Sequence, residues 1–171
     1  IDLISVSHGG KRDYFANMMN IGFDCAVVKE TYTLKKKPFL KGPAAYIAGV
    51  LKVLAVKKTI PAKIKLSGVV SLDKKAPQGD IIEEKNILLT ACANGRYCGG
   101  GFNAASLAML NDGLMDVLVV NDVSRAKFIS IVGNYKKGDY ISEDGSMRSS
   151  FKNVIDYCKC RRMEIVGSEM I

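Results

Sequence analysis

The chain has 171 residues, 48% of them hydrophobic and 25% charged, enough for one domain with a real core and too little for two comfortable ones. No run approaches the roughly 20 apolar residues that span a bilayer, and the start at Ile1 is not a charged-then-apolar signal segment. The formal charge of +8 is uneven, because between Lys29 and Lys75 twelve lysines face only Glu30 and Asp73.

In chain order, Asp13 to Val28 reads as one or two strands, with Phe15, Met18, Ile21, Phe23 and Val27 apolar and turn chemistry at Asn20 and Gly22. Lys29 to Lys41 is expected to be a basic loop containing Pro38. Pro43 to Lys58 is the clearest helix: Gly42 and Pro43 suit its start, and Tyr46, Ile47, Val50, Leu51 and Leu54 make one stripe at helical spacing. Core packing explains that stripe, and Pro61 stops the helix from continuing. Lys63 to Leu66 alternates polar and apolar as a half-buried strand does, and Val69 to Leu72 extends it past a break at Gly68.

Asp73 to Gly79 is read as a polar loop. Asn86 to Ala93 is apolar at nearly every position, which predicts a central strand covered on both faces. Met115 to Val120 is a similar strand. Ser124 to Lys137 is the second helix, with Ser124 as N-cap, Phe128, Ile131, Val132 and Tyr135 on one face and Gly138 at the stop. Val154 to Tyr157 and Arg161 to Val166 close with short strands. The fold class expected is mainly β with two inserted helices, a β-sandwich rather than a doubly wound α/β fold, since the βαβ rhythm is absent.

Chemistry is constrained by what is missing. His8 is the one histidine, no Walker A string or GxGxxG follows a strand, and the five cysteines are odd in number and irregular in spacing. That spacing argues for a reducing compartment and against a disulfide framework, and Cys158-Lys159-Cys160 has no second pair with which to make a zinc site. The most informative stretch is Asn94 to Val117, NGRYCGGGFNAASLAMLNDGLMDV. Three glycines, Gly99, Gly100 and Gly101, are costly in regular structure and mark a sharp bend or a close approach. Asp112 lies in an Asn-Asp-Gly turn, where its carboxylate and neighbouring carbonyls could converge on a cation. A β-bulge followed by a plain hairpin turn is the other reading, and the pattern leaves both open.

This run resembles the signature of the C-terminal domain of diacylglycerol-kinase-like lipid kinases, the family that includes sphingosine kinases. IDLISV followed by DYFANMMNIGFDCAVV is similar to that family's entry into the domain, and KGPAAY, Lys41 to Tyr46, to a helix start between the two. The three matches stand in family order over Ile1 to Val120. The resemblance implies the β-sandwich-like C-terminal domain of the lipid kinase fold across residues 1–171. It also implies a Mg²⁺ held by the Asp112 carboxylate with the main-chain carbonyls of Met109 and Leu114, hard oxygen ligands of the kind Mg²⁺ prefers. Asp2, Lys41 and the Gly99, Gly100, Gly101 triplet become candidate cleft residues, with Asp2 joining an acidic network that reaches the ion and Asp116 read as a strand residue.

The resemblance further implies ATP as co-substrate, held mainly by an N-terminal domain whose Gly-Gly-Asp-Gly-Thr motif is not found here. The catalytic base would be a glutamate of an Asp-Gly-Glu motif expected after Ile171. This chain therefore reads as a piece with no catalytic residue of its own, inactive alone. Ser106 and Leu107 depart from the family's Pro then Asp, which bears on substrate contacts more than on fold. The expected function is the substrate-binding domain of an ATP-dependent kinase acting on a lipid hydroxyl, cytoplasmic and peripheral at the inner face of a membrane. Its partners would be the lipid substrate, an anionic membrane surface, its own N-terminal domain and a possible homodimer mate. The basic stretch equally fits a solvated face. A non-catalytic β-rich module that binds lipid or anions is the alternative; nucleic acid is the least attractive partner, as no Trp or recognition motif accompanies the lysines.

Overall fold

The computed structural model describes residues 1–36, 39, 43–70 and 79–167. A hairpin of β1 (Ile4–His8) and β2 (Lys11–Phe15) is followed by β3 (Met18–Gly22), α1 (Phe23–Lys35), α2 (Pro43–Val56), β4 (Ile60–Val69) and β5 (Gly79–Ala93). Then come β6 (Met115–Asn121), α3 (Arg125–Lys137), β7 (Ile155–Cys160) and β8 (Arg162–Gly167), with short 3₁₀ turns at Gly99–Gly101 and Ser149–Phe151.

β5 is the spine. Its first half pairs antiparallel with β4 and its second half with β3 and β6, in a sheet ordered β7-β6-β5-β4-β8. Ile87 to Ala93 are all buried, as the unbroken apolar run predicts. Both faces are covered. On one side Leu88, Ala91, Leu118 and Val120 pack with Phe23, Val27, Leu54 and Ile131 of the helices. On the other, Ile64, Leu66, Cys92, Val117 and Val119 pack inside the curled sheet. The curl nearly closes: past a bulge at Gly68, Val70 bridges to Lys159 of β7, its N–H 2.8 Å from the Lys159 carbonyl. The architecture is β-sandwich-like and mainly β.

Among the described residues three helices are present rather than two. The segment Asp13 to Val28 does not stay extended: Gly22 turns it at φ 102°, and Phe23 opens α1, which runs through the expected basic loop to Lys35. A side chain at Gly22 would lie 2.6 Å from the Leu88 carbonyl oxygen, so the chain crosses β5 too closely for any other residue. Phe23, Val27, Thr31 and Leu34 are the buried positions of α1, a helical stripe that Thr31 and five intervening polar or charged residues disguise.

α2 forms where expected but is rotated: of the expected stripe Leu54 is buried and Val50 packs against the core, while Tyr46, Ile47 and Leu51 point outward. Ala45, Gly49 and Leu54 are buried, while Ile47 and Leu51 are each 58% exposed. The reason is close helix packing: a Cβ on Gly49 would sit 2.6 Å from Thr31 Oγ1 of α1, so small residues take that contact and Ile47 and Leu51 point out. α3 is as predicted, with Ser124 accepting the Lys127 N–H at 3.2 Å and Gly138 in the left-handed region at φ 80°. The loop expected over Asp73 to Gly79 lies outside the described residues up to Gly79, which begins β5, and so does Leu72 of the expected strand extension.

Candidate functional site

The chain leaves β5 at Asn94, wraps through the glycine triplet and returns into β6 by the turn at Asn111-Asp112-Gly113. The Leu114 N–H donates to Asp112 Oδ1 at 3.1 Å, a side-chain turn of the kind aspartate favours. Asp2 reaches the same turn from the far end of the sequence. Its carboxylate accepts the Gly113 N–H at 2.8 Å and its own N–H donates to the Leu110 carbonyl at 2.7 Å. Asn94, fully buried, fixes Asp2 in turn by donating to its carbonyl at 2.8 Å and to that of Ala16 at 3.1 Å.

Below the turn lies a buried charge network. Antiparallel register sets Asp116 of β6 opposite Lys159 of β7. The Lys159 ammonium donates to Asp116 Oδ2 at 3.0 Å and to Asp112 Oδ2 at 2.9 Å, and the Tyr157 hydroxyl donates to Asp116 Oδ1. Lys159 is 5% exposed and Asp116 fully buried. Burial pushes the Asp116 carboxyl above its usual range, while the Tyr157 hydrogen bond and the Lys159 charge pull it back. Burial, and then the Asp116 charge, push the Tyr157 phenol up. Tyr140 continues the cluster: its ring lies 6.1 Å from that of Tyr157, and its hydroxyl donates to the Ala104 carbonyl at 2.8 Å.

The oxygens at the turn fit a hard cation by type. Asp112 has one oxygen on Leu114 and one on Lys159, which uses two of about four lone-pair positions. Its side chain is 17% exposed, and the Met109 side chain is half exposed, so the turn lies at the surface. Among the described residues no group of three or more His, Cys, Asp or Glu side chains gathers for a metal, so an ion here would depend on the Met109 and Leu114 carbonyls and water.

Of the sequence candidates, the fold brings Asp2, Met109, Asp112 and Leu114 to one turn. It does not bring the triplet there. Gly99, Gly100 and Gly101 form a 3₁₀ turn rather than a β-bulge, closed by reciprocal hydrogen bonds of 2.9 and 3.1 Å between Cys98 and Phe102. Lys41 lies outside the described residues. Sequence reasoning missed Asn94, Tyr157 and Lys159, and took Asp116 as a plain strand residue. A partial signal was present: Asp116 is the one charged residue of an otherwise apolar run, Met115 to Val120. Beneath α3 the cavity lined by Leu89, Val120, Phe128 and Ile131 holds about 20 Å³, room for about one water.

Residues 17–159 match the family described as the YegS C-terminal, NAD-kinase β-sandwich-like domain. The chain belongs to that family. Two relatives named probable lipid kinase YegS-like support the assignment. The Shewanella frigidimarina protein is 32% identical over 124 residues, covering 72% of this chain and 34% of that protein. The Stenotrophomonas maltophilia protein is 32% identical over 123 residues, covering 72% and 35%. This YegS-type domain thus spans about a third of the length of the curated relatives it matches. Among solved structures, a candidate diacylglycerol kinase from Bacillus anthracis superposes with a TM-score of 0.54 at 20% identity, over 94% of this chain and 44% of that one. A second from the same organism gives 0.51 at 19%, over 91% and 43%. At those identities the likeness shows the fold, which is that of the YegS-type domain with its Asp112 turn inside the matched span.

Proposed function

We propose that this chain is the lipid-binding part of an ATP-dependent kinase that phosphorylates a lipid hydroxyl of the diacylglycerol type. The observation that carries the reading is the Asp2–Asp112 turn, a surface carboxylate site that joins Asp2 to Gly113, 111 residues on, with Asp112 inside the span that matches the family. In this reading Mg²⁺ is held by Asp112 with the Met109 and Leu114 carbonyls, and its chemistry there is to order the loop beside the cleft. Asp2 orients the turn by holding the Gly113 N–H. Asn94 keeps Asp2 in place. The nucleotide cradle and the base that takes the lipid proton belong to parts of the protein beyond this domain, where the attacking oxygen meets the γ-phosphorus.

Membrane association is part of the proposal. Support comes from the outer faces of α1 and α2, which expose Val28, Tyr32, Ile47 and Leu51 next to Lys29, Lys35, Lys36 and Lys52. An apolar strip beside lysines suits an anionic interface, and no described helix is long and apolar enough to cross a membrane.

The test is to express the intact protein that carries this segment and incubate it with γ-labelled ATP and Mg²⁺. The lipids offered are diacylglycerol, phosphatidylglycerol and a sphingoid base. Transfer of label to one of them, lost in Asp112→Ala by about tenfold or more, is the expected result. Vesicle binding without any labelled lipid would replace the kinase reading with that of a lipid- or anion-binding regulatory module, which the same exposed face favours.

A further inference from the structure

One cation is already built into the turn. The Lys159 ammonium lies 2.9 Å from Asp112 Oδ2, the carboxylate on which the magnesium site of the proposed function depends. We propose that Lys159 is a positioning residue that sets the divalent-cation affinity of the Asp112 turn by competing with the ion for that carboxylate. The inference rests on the magnesium reading and adds an antagonist to it.

Lys159 has little freedom to step aside. Its main chain is held between β6, where it pairs with Asp116, and Val70, whose N–H donates to its carbonyl at 2.8 Å. Its ammonium also serves Asp116 at 3.0 Å, and leaving would strand a fully buried carboxylate with only the Tyr157 hydroxyl for compensation. A dication arriving at Asp112 therefore meets a fixed positive charge a few ångströms away, well inside the roughly 10 Å over which salt screens. Either the ion binds loosely, or it pulls Asp112 off Lys159 and loosens the link between the turn and β7. A lysine present only to neutralise Asp116 would do neither.

The experiment uses the intact protein with four variants: Lys159→Met, Lys159→Arg, Asp112→Ala, and the double variant Lys159→Met with Asp116→Asn. The double variant removes both buried charges, so it keeps the fold testable if the single change unfolds the domain. Mg²⁺ titration by calorimetry and Mn²⁺ titration by electron paramagnetic resonance give the affinity directly. Circular dichroism checks the fold. The expected result is binding about tenfold or more tighter in Lys159→Met and in the double variant, unchanged within about threefold in Lys159→Arg, and lost in Asp112→Ala. If the unaltered protein binds the ion through Asp112 and the charge-removing variants bind no more tightly, this inference falls and the magnesium site stands. If no folded form binds either ion, or binding survives Asp112→Ala, the magnesium site falls and the inference with it.

Discussion

Asp24 carries a carboxylate where the fold disfavours its charge. It sits in the first turn of α1, accepts an N–H of the Asn20 side chain at 3.1 Å, and burial pushes its carboxyl from 3.8 up to about 6. Between those values the folded protein holds a proton that the unfolded chain has released, so stability falls as pH rises from about 4 to about 6. Above that window the full penalty of about 3 kcal/mol is present. Asp24→Asn keeps the acceptor and removes the charge. Its urea stability relative to the unaltered protein should rise through the window and level off by about pH 7; parallel pH curves for the two proteins would refute the account. At this scale the sequence was legible where chemistry is local. The Asn-Asp-Gly turn announces Asp112 by itself, whereas Asp2 came only through resemblance. Lys159 stayed hidden because a lysine between two cysteines reads as a surface charge. Its partner, Asp116, lies on another strand, and no local pattern encodes cross-strand register.

Helix α2 shows how an element can be found and still be rotated from the face expected of it, and α1 how one can be missed. Periodicity places α2 correctly but assigns its bulky stripe to the core, because hydropathy counts size and cannot see that a neighbouring helix comes near. Gly49 against Thr31 decides the matter, and α1 itself was masked by lysines and by Thr31. β5, β6 and α3 were legible for the opposite reason: an unbroken apolar run, a capping serine and a left-handed glycine need no knowledge of neighbours. The close approach makes a prediction. Gly49→Val would push its Cβ against Thr31 Oγ1 and, at 3.3 Å, the Thr31 N, costing about 1–3 kcal/mol by overpacking. Denaturant unfolding would measure it. A stability equal to that of the unaltered protein would mean the two helices do not pack through Gly49.

Across the whole molecule the basic surplus is less free than composition implies. Lys52 pairs with Glu30 at 2.7 Å, Lys63 with Glu84 at 2.8 Å and Lys57 with Asp122. Among the described residues Lys29 and Lys35 of α1 and Lys36 at its C-terminal cap have no acidic partner, and Lys36 lies 5.0 Å over the Tyr32 ring. They stand beside the exposed Val28 and Tyr32 rather than at the Asp112 turn, which separates a surface suited to anionic lipid from a site suited to a cation. Changing Lys35, Lys36 and Lys37 to Glu should weaken binding to anionic vesicles by about tenfold or more at low salt, and less at high salt. Flotation across a salt series reads this, and binding that ignores the change would remove the lysines from the interface.

The closure of the sheet also dictates when this domain can exist. Asp2 waits for Gly113, 111 positions later, and β4 lacks its outer neighbour until Arg162–Gly167 has been made. Contacts so distant along the chain fold slowly. On a ribosome adding about 5–20 residues per second, β4 spends several seconds as an uncovered edge, open to pairing with another nascent chain. A chain cut short before β8 would leave that edge exposed for good, so aggregation, rather than a soluble smaller domain, is the fate this topology assigns to it.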